Sequence, residues 1–339
     1  MNVQQVPLSE KFFHGAVSLE ITKEYMKPWR IPFDKKEFFP PNGISGQAEL
    51  PAGVRIKLRS NTQSIKIEIA EATEFMEMDC LIDGTLVKTV YLSAGETMVS
   101  FDSLPGQSKL FEIYLSQRLP VPISGIWIDE GAEWELVEDS RLRWITYGSS
   151  ITHCYYSDSP SQTWPALAAN KMDLNLTSLG YSGNCHLEPM VARMIRDLPA
   201  DFISICAGIN IVGGNTLSER TFSPALIGFI QTIRDVHKDV PLVVISPIFH
   251  REREKNENEV GLSLEKVRTE IVQVIDMLKR HGDQNVYYID GLEMFGEEFE
   301  KYLPDGLHPN GEGDKIIADR FQQLIEANAA ITSKKEVPS

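Results

Sequence analysis

The stretch Leu142-Arg143-Trp144-Ile145-Thr146-Tyr147-Gly148-Ser149-Ser150-Ile151-Thr152 decides how this chain is read. Its first half is a largely apolar run without strict alternation, as in a strand covered on both faces of a parallel sheet. It then breaks at Gly-Ser-Ser, residue types that dominate turns for conformational reasons. Further runs of this kind occur at Leu174–Ser178, Phe202–Ala207, Leu242–Pro247 and Val286–Ile289. Between and after them lie amphipathic stretches near Trp164–Met172, Pro189–Leu198, Pro224–Val236, Ser263–His281 and Asp314–Ala329. Strands alternating with helices make βαβ units. Residues 139–339 therefore read as an α/β, flavodoxin-like three-layer domain with five parallel strands.

Upstream the texture changes. From about residue 40 to 137 apolar and charged residues alternate, as in Val54-Arg55-Ile56-Lys57-Leu58 and Ile65-Lys66-Ile67-Glu68-Ile69. A period of two predicts half-buried antiparallel strands. Asp83-Gly84 between Cys80-Leu81-Ile82 and Leu86-Val87 is a hairpin signal, and the segments around Phe111–Leu115 and Gly125–Ile128 add strands. Residues 1–138 read as an all-β sandwich, jelly-roll-like.

The chemistry concentrates at two places. Ser150 follows the first parallel strand, and some 150 residues later a loop reads Asp305-Gly306-Leu307-His308-Pro309. A serine hydroxyl is a weak nucleophile at neutral pH; it needs an imidazole to take its proton and a carboxylate to orient that imidazole. The order Ser, Asp, His also fits an α/β-hydrolase, but there the nucleophile sits in G-x-S-x-G and the acid and base come from separate loops. Here Thr152 stands two after Ser150, and Asp305 and His308 are three apart.

This arrangement resembles the SGNH (GDSL-type) hydrolases. Leu179-Gly180-Tyr181-Ser182-Gly183-Asn184 matches the family's oxyanion-glycine block and Gly208-Ile209-Asn210 its oxyanion-asparagine block, all in the family's order. The resemblance implies Ser150 as nucleophile, His308 as general base and then acid, and Asp305 as the group orienting it. It also implies an oxyanion hole made of the Ser150 and Gly183 N–H groups and the Asn210 side chain. Three positions depart from the pattern: Ser149 and Ile211 stand where Asp is usual, and Cys154 stands near where many members carry glycine. Independently of the resemblance, Ser150, Gly183 and Asn210 each follow the C-terminal end of an expected strand, the edge at which open α/β sheets place ligands.

At 339 residues the chain exceeds the usual single-domain size of ~100–200 residues. A net charge of −15 and a pI near 5.0 argue against nucleic acid or an anionic membrane as partner. The first residues lack a basic then apolar leader, and no window approaches a membrane span, so a cytoplasmic location is expected. Four cysteines fit free thiols better than a disulfide scaffold. His153, Cys154, Cys185, His186 and Cys206 match no zinc spacing, so neither metal nor organic cofactor is expected. His153 or His186 could instead touch substrate from the rim. Trp164 is read as core rather than a sugar platform, Glu188 as a helix start rather than a second carboxylate, and Arg251-Glu252-Arg253-Glu254-Lys255 as a solvated loop.

The resemblance extends to two-domain carbohydrate esterases, including acetylxylan esterases, which carry a β-sandwich ahead of the catalytic domain. It implies a serine esterase that removes small acyl groups, acetyl above all, from a sugar, with a small acylated substrate as partner and a homo-oligomer left open. A lysophospholipase or thioesterase, an inactive carbohydrate-binding protein, and acyl transfer to a second sugar are the alternatives.

Overall fold

The computed structural model describes residues 2–70 and 72–328. Four strands lie ahead of the alternating region, which does not announce them: β1 (Val3–Val6), β2 (Phe13–His14), β3 (Ser18–Ile21) and β4 (Met26–Trp29). A short helix, α1 (Ile44–Ala48), follows. The alternating region supplies β5 (Arg55–Ser60), β6 (Ile65–Ile69), β7 (Met76–Ile82) and β8 (Thr85–Leu92). It continues with β9 (Met98–Phe101), β10 (Lys109–Tyr114), β11 (Ile123–Asp129) and β12 (Trp134–Glu135).

These strands build two antiparallel sheets. One runs β3-β4-β11-β6-β9 with β1 on β11, the other β12-β5-β10-β7-β8 with β2 on β5. Ile56, Leu58, Ile65, Ile67, Phe101 and Phe111 interdigitate between them as one core. Asp83 and Gly84, with φ of 48° and 77°, form the β7–β8 hairpin. Two left-handed residues give the primed turn whose twist matches the strands it joins.

Half-burial holds for β6, whose Lys66 and Glu68 stay partly exposed, and fails for β5 and β7. The outer face of the second sheet is covered by the α/β domain, so Arg55, Lys57, Glu77 and Asp79 are all buried. Their charges are met locally. Lys57 Nζ lies 2.7 Å and Arg141 Nη2 2.6 Å from Asp139 Oδ2, while Arg55 donates to Asn175 Oδ1 at 2.7 Å and Leu176 O at 3.1 Å.

The α/β half begins with β13 (Leu142–Gly148), α2 (Ser150–His153), α3 (Trp164–Lys171), β14 (Leu174–Gly180) and α4 (Pro189–Asp197). Next come β15 (Phe202–Cys206), α5 (Ile209–Gly213), α6 (Glu219–Arg234), β16 (Leu242–Ile245) and α7 (Leu264–Arg280). It closes with β17 (Val286–Ile289), α8 (Gly291–Met294) and α9 (Gly311–Ala327). Ala329, at the end of the last expected helix, lies outside the described residues. α6 starts five residues before the expected Pro224, because Ser218 and Thr221 form a capping box and the proline sits inside the helix.

All five strands are parallel in the order β14-β13-β15-β16-β17. Crossovers leave β13 and β15 toward opposite sides, so a crevice opens between their C-terminal ends. α3 and α9 pack on one face around Trp144, Trp164 and Phe321, and α4, α6 and α7 on the other. Trp164 is a core residue, 5.5 Å from the Phe321 ring centroid, with its indole donating to Ile151 O at 2.9 Å.

Burial alone would raise the Asp139 carboxyl, but hydrogen bonds from Arg141 and Lys57 outweigh it and hold the group below the usual carboxylate range. Its stabilisation is therefore present above the unfolded value of about 4 and lost as pH falls below it. Asp139→Asn should cost on the order of 3 kcal/mol at pH 7. Denaturant titrations from pH 7 to 2 should show a flatter acid limb for the variant than for the wild type.

Candidate active site

β13 delivers the chain into α2, with Ser149 as the cap: its hydroxyl accepts from Ile151 N at 3.3 Å, and Ser150 becomes the first helical residue. The helix is one turn long because Cys154 adopts a left-handed conformation, φ 59°, at its end. That conformation is the one glycine favours, which accounts physically for the glycine expected near Cys154. α2 lies directly on the end of β14, where a Cβ on Gly180 would come 2.3 Å from His153 N.

The loop before α9 brings Asp305 and His308 to Ser150. His308 Nε2 lies 2.8 Å from Ser150 Oγ, and His308 Nδ1 lies 2.6 Å from Asp305 Oδ2. Asp305 Oδ1 accepts from Leu307 N at 3.0 Å and His308 N at 2.7 Å, so one carboxylate both folds the loop and faces the ring. Burial would raise this carboxyl, yet the hydrogen bonds from the His308 ring and from the His308 and Leu307 N–H groups bring it down to about 2. It remains an anion at neutral pH. Nδ1–H then donates to Asp305, leaving Nε2 to accept from the serine.

Gly183 and Asn210 stand at the ends of β14 and β15. Gly183 is exposed at φ 72°, and a Cβ there would meet nothing within 4 Å, so the backbone conformation rather than space asks for glycine. Asn210 Nδ2 donates to Asn184 O at 2.8 Å, tying the asparagine to the glycine's own loop, and its amide has a second N–H available.

The loop from Ser182 to Leu187 is strained, with Cys185 and Leu187 also at positive φ. Glu188 holds it. Its Oε1 accepts from Cys185 N at 3.2 Å and His186 N at 3.0 Å, and its Oε2 takes a short hydrogen bond from Tyr147 OH. Glu188 does stand at the start of α4 as the sequence suggests, but its carboxylate also organises the loop, which no sequence signal disclosed. His186 is a loop brace as well, with Nε2 3.1 Å from Gly183 O and Nδ1 2.8 Å from Thr216 Oγ1.

His153 does not reach the rim. It is fully buried, its Nε2 2.7 Å from Gln117 O and its Nδ1 3.3 Å from Arg30 Nη2. The hydrogen-bond network assigns the proton to Nε2. Burial and the neighbouring Arg30 charge push His153 down to about 3, so it is neutral. Burial likewise pushes the Cys206 thiol up to about 12, and Cys154 and Cys185 well above their usual value. The charged run after β16 is pinned: Arg251 Nε donates to Glu300 Oε1 at 2.6 Å and Glu254 pairs with Arg268.

The sandwich reaches into this site at four points. Arg30, fully buried, donates to Leu50 O and Gln47 O at 2.6 Å, to Ser178 O at 3.2 Å and to Gly180 O, and its guanidinium covers the Tyr181 ring. Gln117 O holds His153, Arg118 donates to Tyr155 O at 3.2 Å and Ser157 O at 3.0 Å, and Asp79 Oδ2 accepts from Ser159 Oγ and Ser161 Oγ at 2.6 Å. Sequence reasoning found none of these contacts.

A small cavity of about 30 Å³ adjoins α2 on its inner side, lined by Ile151, Trp164, Ala207, Ile209 and Ile248 among others, and by neither Ser150 nor His308. That space suits a water molecule rather than an acyl chain. Behind the loop that follows Ser150, burial pushes the Asp314 carboxyl up to about 8, and Ser157 Oγ hydrogen-bonds to it.

The profile of the GDSL-like Lipase/Acylhydrolase family matches residues 142–326, and that of the SsfX3 N-terminal domain residues 11–119. Among solved structures, the salicylyl-acyltransferase SsfX3 from a tetracycline biosynthetic pathway is 33% identical with a TM-score of 0.89, over 96% of this chain and 97% of that one. A Bacteroides ovatus protein assigned to the GDSL-like lipases is 21% identical, TM-score 0.77, over 98% of each chain. The acetyl xylan esterase Est2A from the rumen bacterium Butyrivibrio proteoclasticus is 13% identical, TM-score 0.63, over 97% of this chain and 99% of that one. The latter two similarities are of fold. Curated protein sequences give no match.

Two measurements probe the supports of the site. Asp314 is protonated in the fold up to about pH 8 but ionises near pH 4 when unfolded, so its contribution is complete below pH 4 and lost as pH rises toward 8. Asp314→Asn cannot ionise; calorimetry should place its Tm level with wild type at pH 4 and roughly 5 °C or more above it at pH 7.5. Arg30→Met leaves the carbonyls of Gln47, Leu50, Ser178 and Gly180 without this donor. The variant should melt lower, and any turnover it retains should fall at least tenfold in kcat with KM little changed, because Arg30 supports the loops and touches no substrate.

Proposed function

The chain belongs to the GDSL-like lipase/acylhydrolase family, and from that premise we propose that it is a serine acyl hydrolase whose Ser150 removes small acyl groups, acetyl first among them, from a carbohydrate hydroxyl. The observation that carries this reading is the unbroken chain of hydrogen bonds from Asp305 Oδ2 through both ring nitrogens of His308 to Ser150 Oγ, at 2.6 and 2.8 Å.

In this mechanism Ser150 Oγ attacks the ester carbonyl as His308 Nε2 takes its proton, and Asp305 steadies the imidazolium. The Ser150 and Gly183 N–H groups and the Asn210 amide receive the charge that builds on the carbonyl oxygen. Donors of this kind are each worth roughly 10²–10³ in kcat, because they meet charge present only in the transition state. His308 returns the proton to the departing alcohol oxygen. Water, activated by the same nitrogen, then releases the acid.

A small acyl group is favoured over the longer chains of a lysophospholipase or thioesterase by the layout shared with the acetyl xylan esterase. The carbohydrate assignment rests on the sandwich-plus-α/β layout shared with the acetyl xylan esterase and on a net charge of −15, which disfavours anionic lipids and nucleic acids. The connected triad geometry argues against a purely binding role. Acyl transfer to a hydroxyl other than water has one specific support, the acyltransferase name of the relative that is 33% identical.

Hydrolysis of p-nitrophenyl acetate, butyrate and octanoate tests the reading. Activity should fall with chain length and drop by on the order of 10⁶ in kcat in Ser150→Ala or His308→Ala. Asp305→Asn should lose less, about 10⁴, because its side-chain oxygen can still accept from the Leu307 and His308 N–H groups. Unimpaired turnover by Ser150→Ala would exclude the mechanism, and preference for octanoate would exclude the small-acyl assignment. Product analysis with added sugar separates the two acceptors: free acetate alone marks hydrolysis, and a new sugar ester marks transfer.

A further inference from the structure

Six large aromatic side chains are exposed among the described residues, and four of them lie along one path that starts at the catalytic histidine. The Tyr156 ring is tilted against His308 with centroids 5.4 Å apart, and Tyr155 meets Tyr156 edge to face at 5.5 Å. Arg118, from the sandwich, lies 5.7 Å from the Tyr155 ring and donates to Glu77 Oε2 at 3.2 Å. Glu77 is the cross-strand partner of Tyr91. Directly opposed residues share a face of the sheet. On that face Tyr91 stacks on Phe75 with centroids 5.6 Å apart and planes 17° from parallel, both rings more than half exposed.

His308 Nε2 hands its proton to the leaving alcohol, so the alcohol half of the ester must lie on the histidine side of Ser150, where Tyr156 stands. We propose that Tyr156, Tyr155 and the Phe75–Tyr91 pair form an extended subsite for the alcohol portion of the substrate, and that this portion is a neutral oligosaccharide, with the reacting ring over Tyr156 and a more distant ring on Phe75–Tyr91. Sugar rings present C–H groups that suit the negative face of an aromatic ring, while tyrosine hydroxyls serve the sugar's polar edge. A single ring stacked on Tyr156 cannot at the same time stack on the Phe75–Tyr91 pair. An exposed stacked pair at a sheet edge is also a liability unless something covers it. The assignment rests on the carbohydrate reading above, but binding can be measured without turnover.

The experiment is calorimetric titration of the full chain with unacylated neutral hexasaccharides of glucose, xylose, mannose and galactose and with the matching monosaccharides, run beside p-nitrophenyl acetate hydrolysis. At least one hexasaccharide should bind more tightly than its monosaccharide, and Tyr91→Ala and Phe75→Ala should each weaken it roughly threefold to tenfold. Trp134→Ala, an exposed aromatic on the opposite edge of the same sheet, should leave it unchanged. Equal affinity for one ring and six, no binding of any hexasaccharide, or no effect of the two substitutions overturns the subsite. So does a wild-type dimer in sedimentation that Tyr91→Ala dissociates, since the pair would then be a subunit contact. Binding without ester hydrolysis would retain the subsite and remove the esterase reading; hydrolysis without binding would do the reverse.

Discussion

Arg30 brings a positive charge to a place without solvent and meets no carboxylate there. Five peptide carbonyls or ring atoms surround it instead: two carbonyls come from α1 and its exit, two from the end of β14, and the remaining partner is the neutral ring of His153. Burial lowers its pKa to about 10, still far enough above neutrality that the group stays protonated. A buried charge of this kind is tolerated only when all its donors are satisfied, which requires both halves of the chain to be in register at once. Tyr181 completes the arrangement by donating back to Arg30 O at 2.5 Å. The strand that launches the glycine-bearing loop is thereby fixed by a residue from the other domain.

The same logic runs through the rest of the site. Ser150 sits on a helix of a single turn, too short to be stable by itself. It is held from below by His153 and Gln117, from the side by Arg118, and further on by Asp79. The loop carrying Gly183 contains residues in conformations that cost energy, and Glu188 and Tyr147 offset that cost with charge-assisted hydrogen bonds. Under the proposed mechanism, such over-determination would let the donors wait in place for charge that develops only during reaction, without reorganising when it does. The sandwich is thus a brace of the candidate site as well as a neighbour to it.

Much of this was legible beforehand. The five parallel strands, their order of chemistry-bearing ends and the Ser150, Asp305 and His308 positions follow from apolar runs, turn residues and a three-residue spacing. These are local signals. β3 and β4 escaped because partly covered strands ahead of residue 40 carry no clean alternation. Glu188 was read only as a helix start, since its second role depends on Tyr147, 41 residues away.

The sequence by itself determined the five strands and main helices of the α/β half, the alternating strands of the sandwich and which of their faces are apolar, because these depend on periodicity and chemical type. It did not determine where the charged faces go. Lys57 on β5 and Lys66 on β6 alternate with apolar residues in the same way, yet one is sealed against Asp139 and the other faces outward. Only the docking of the two domains decides between them, since a charged side chain can be solvated by water or by an opposite charge, and a pattern along one strand is blind to which of the two will be across from it.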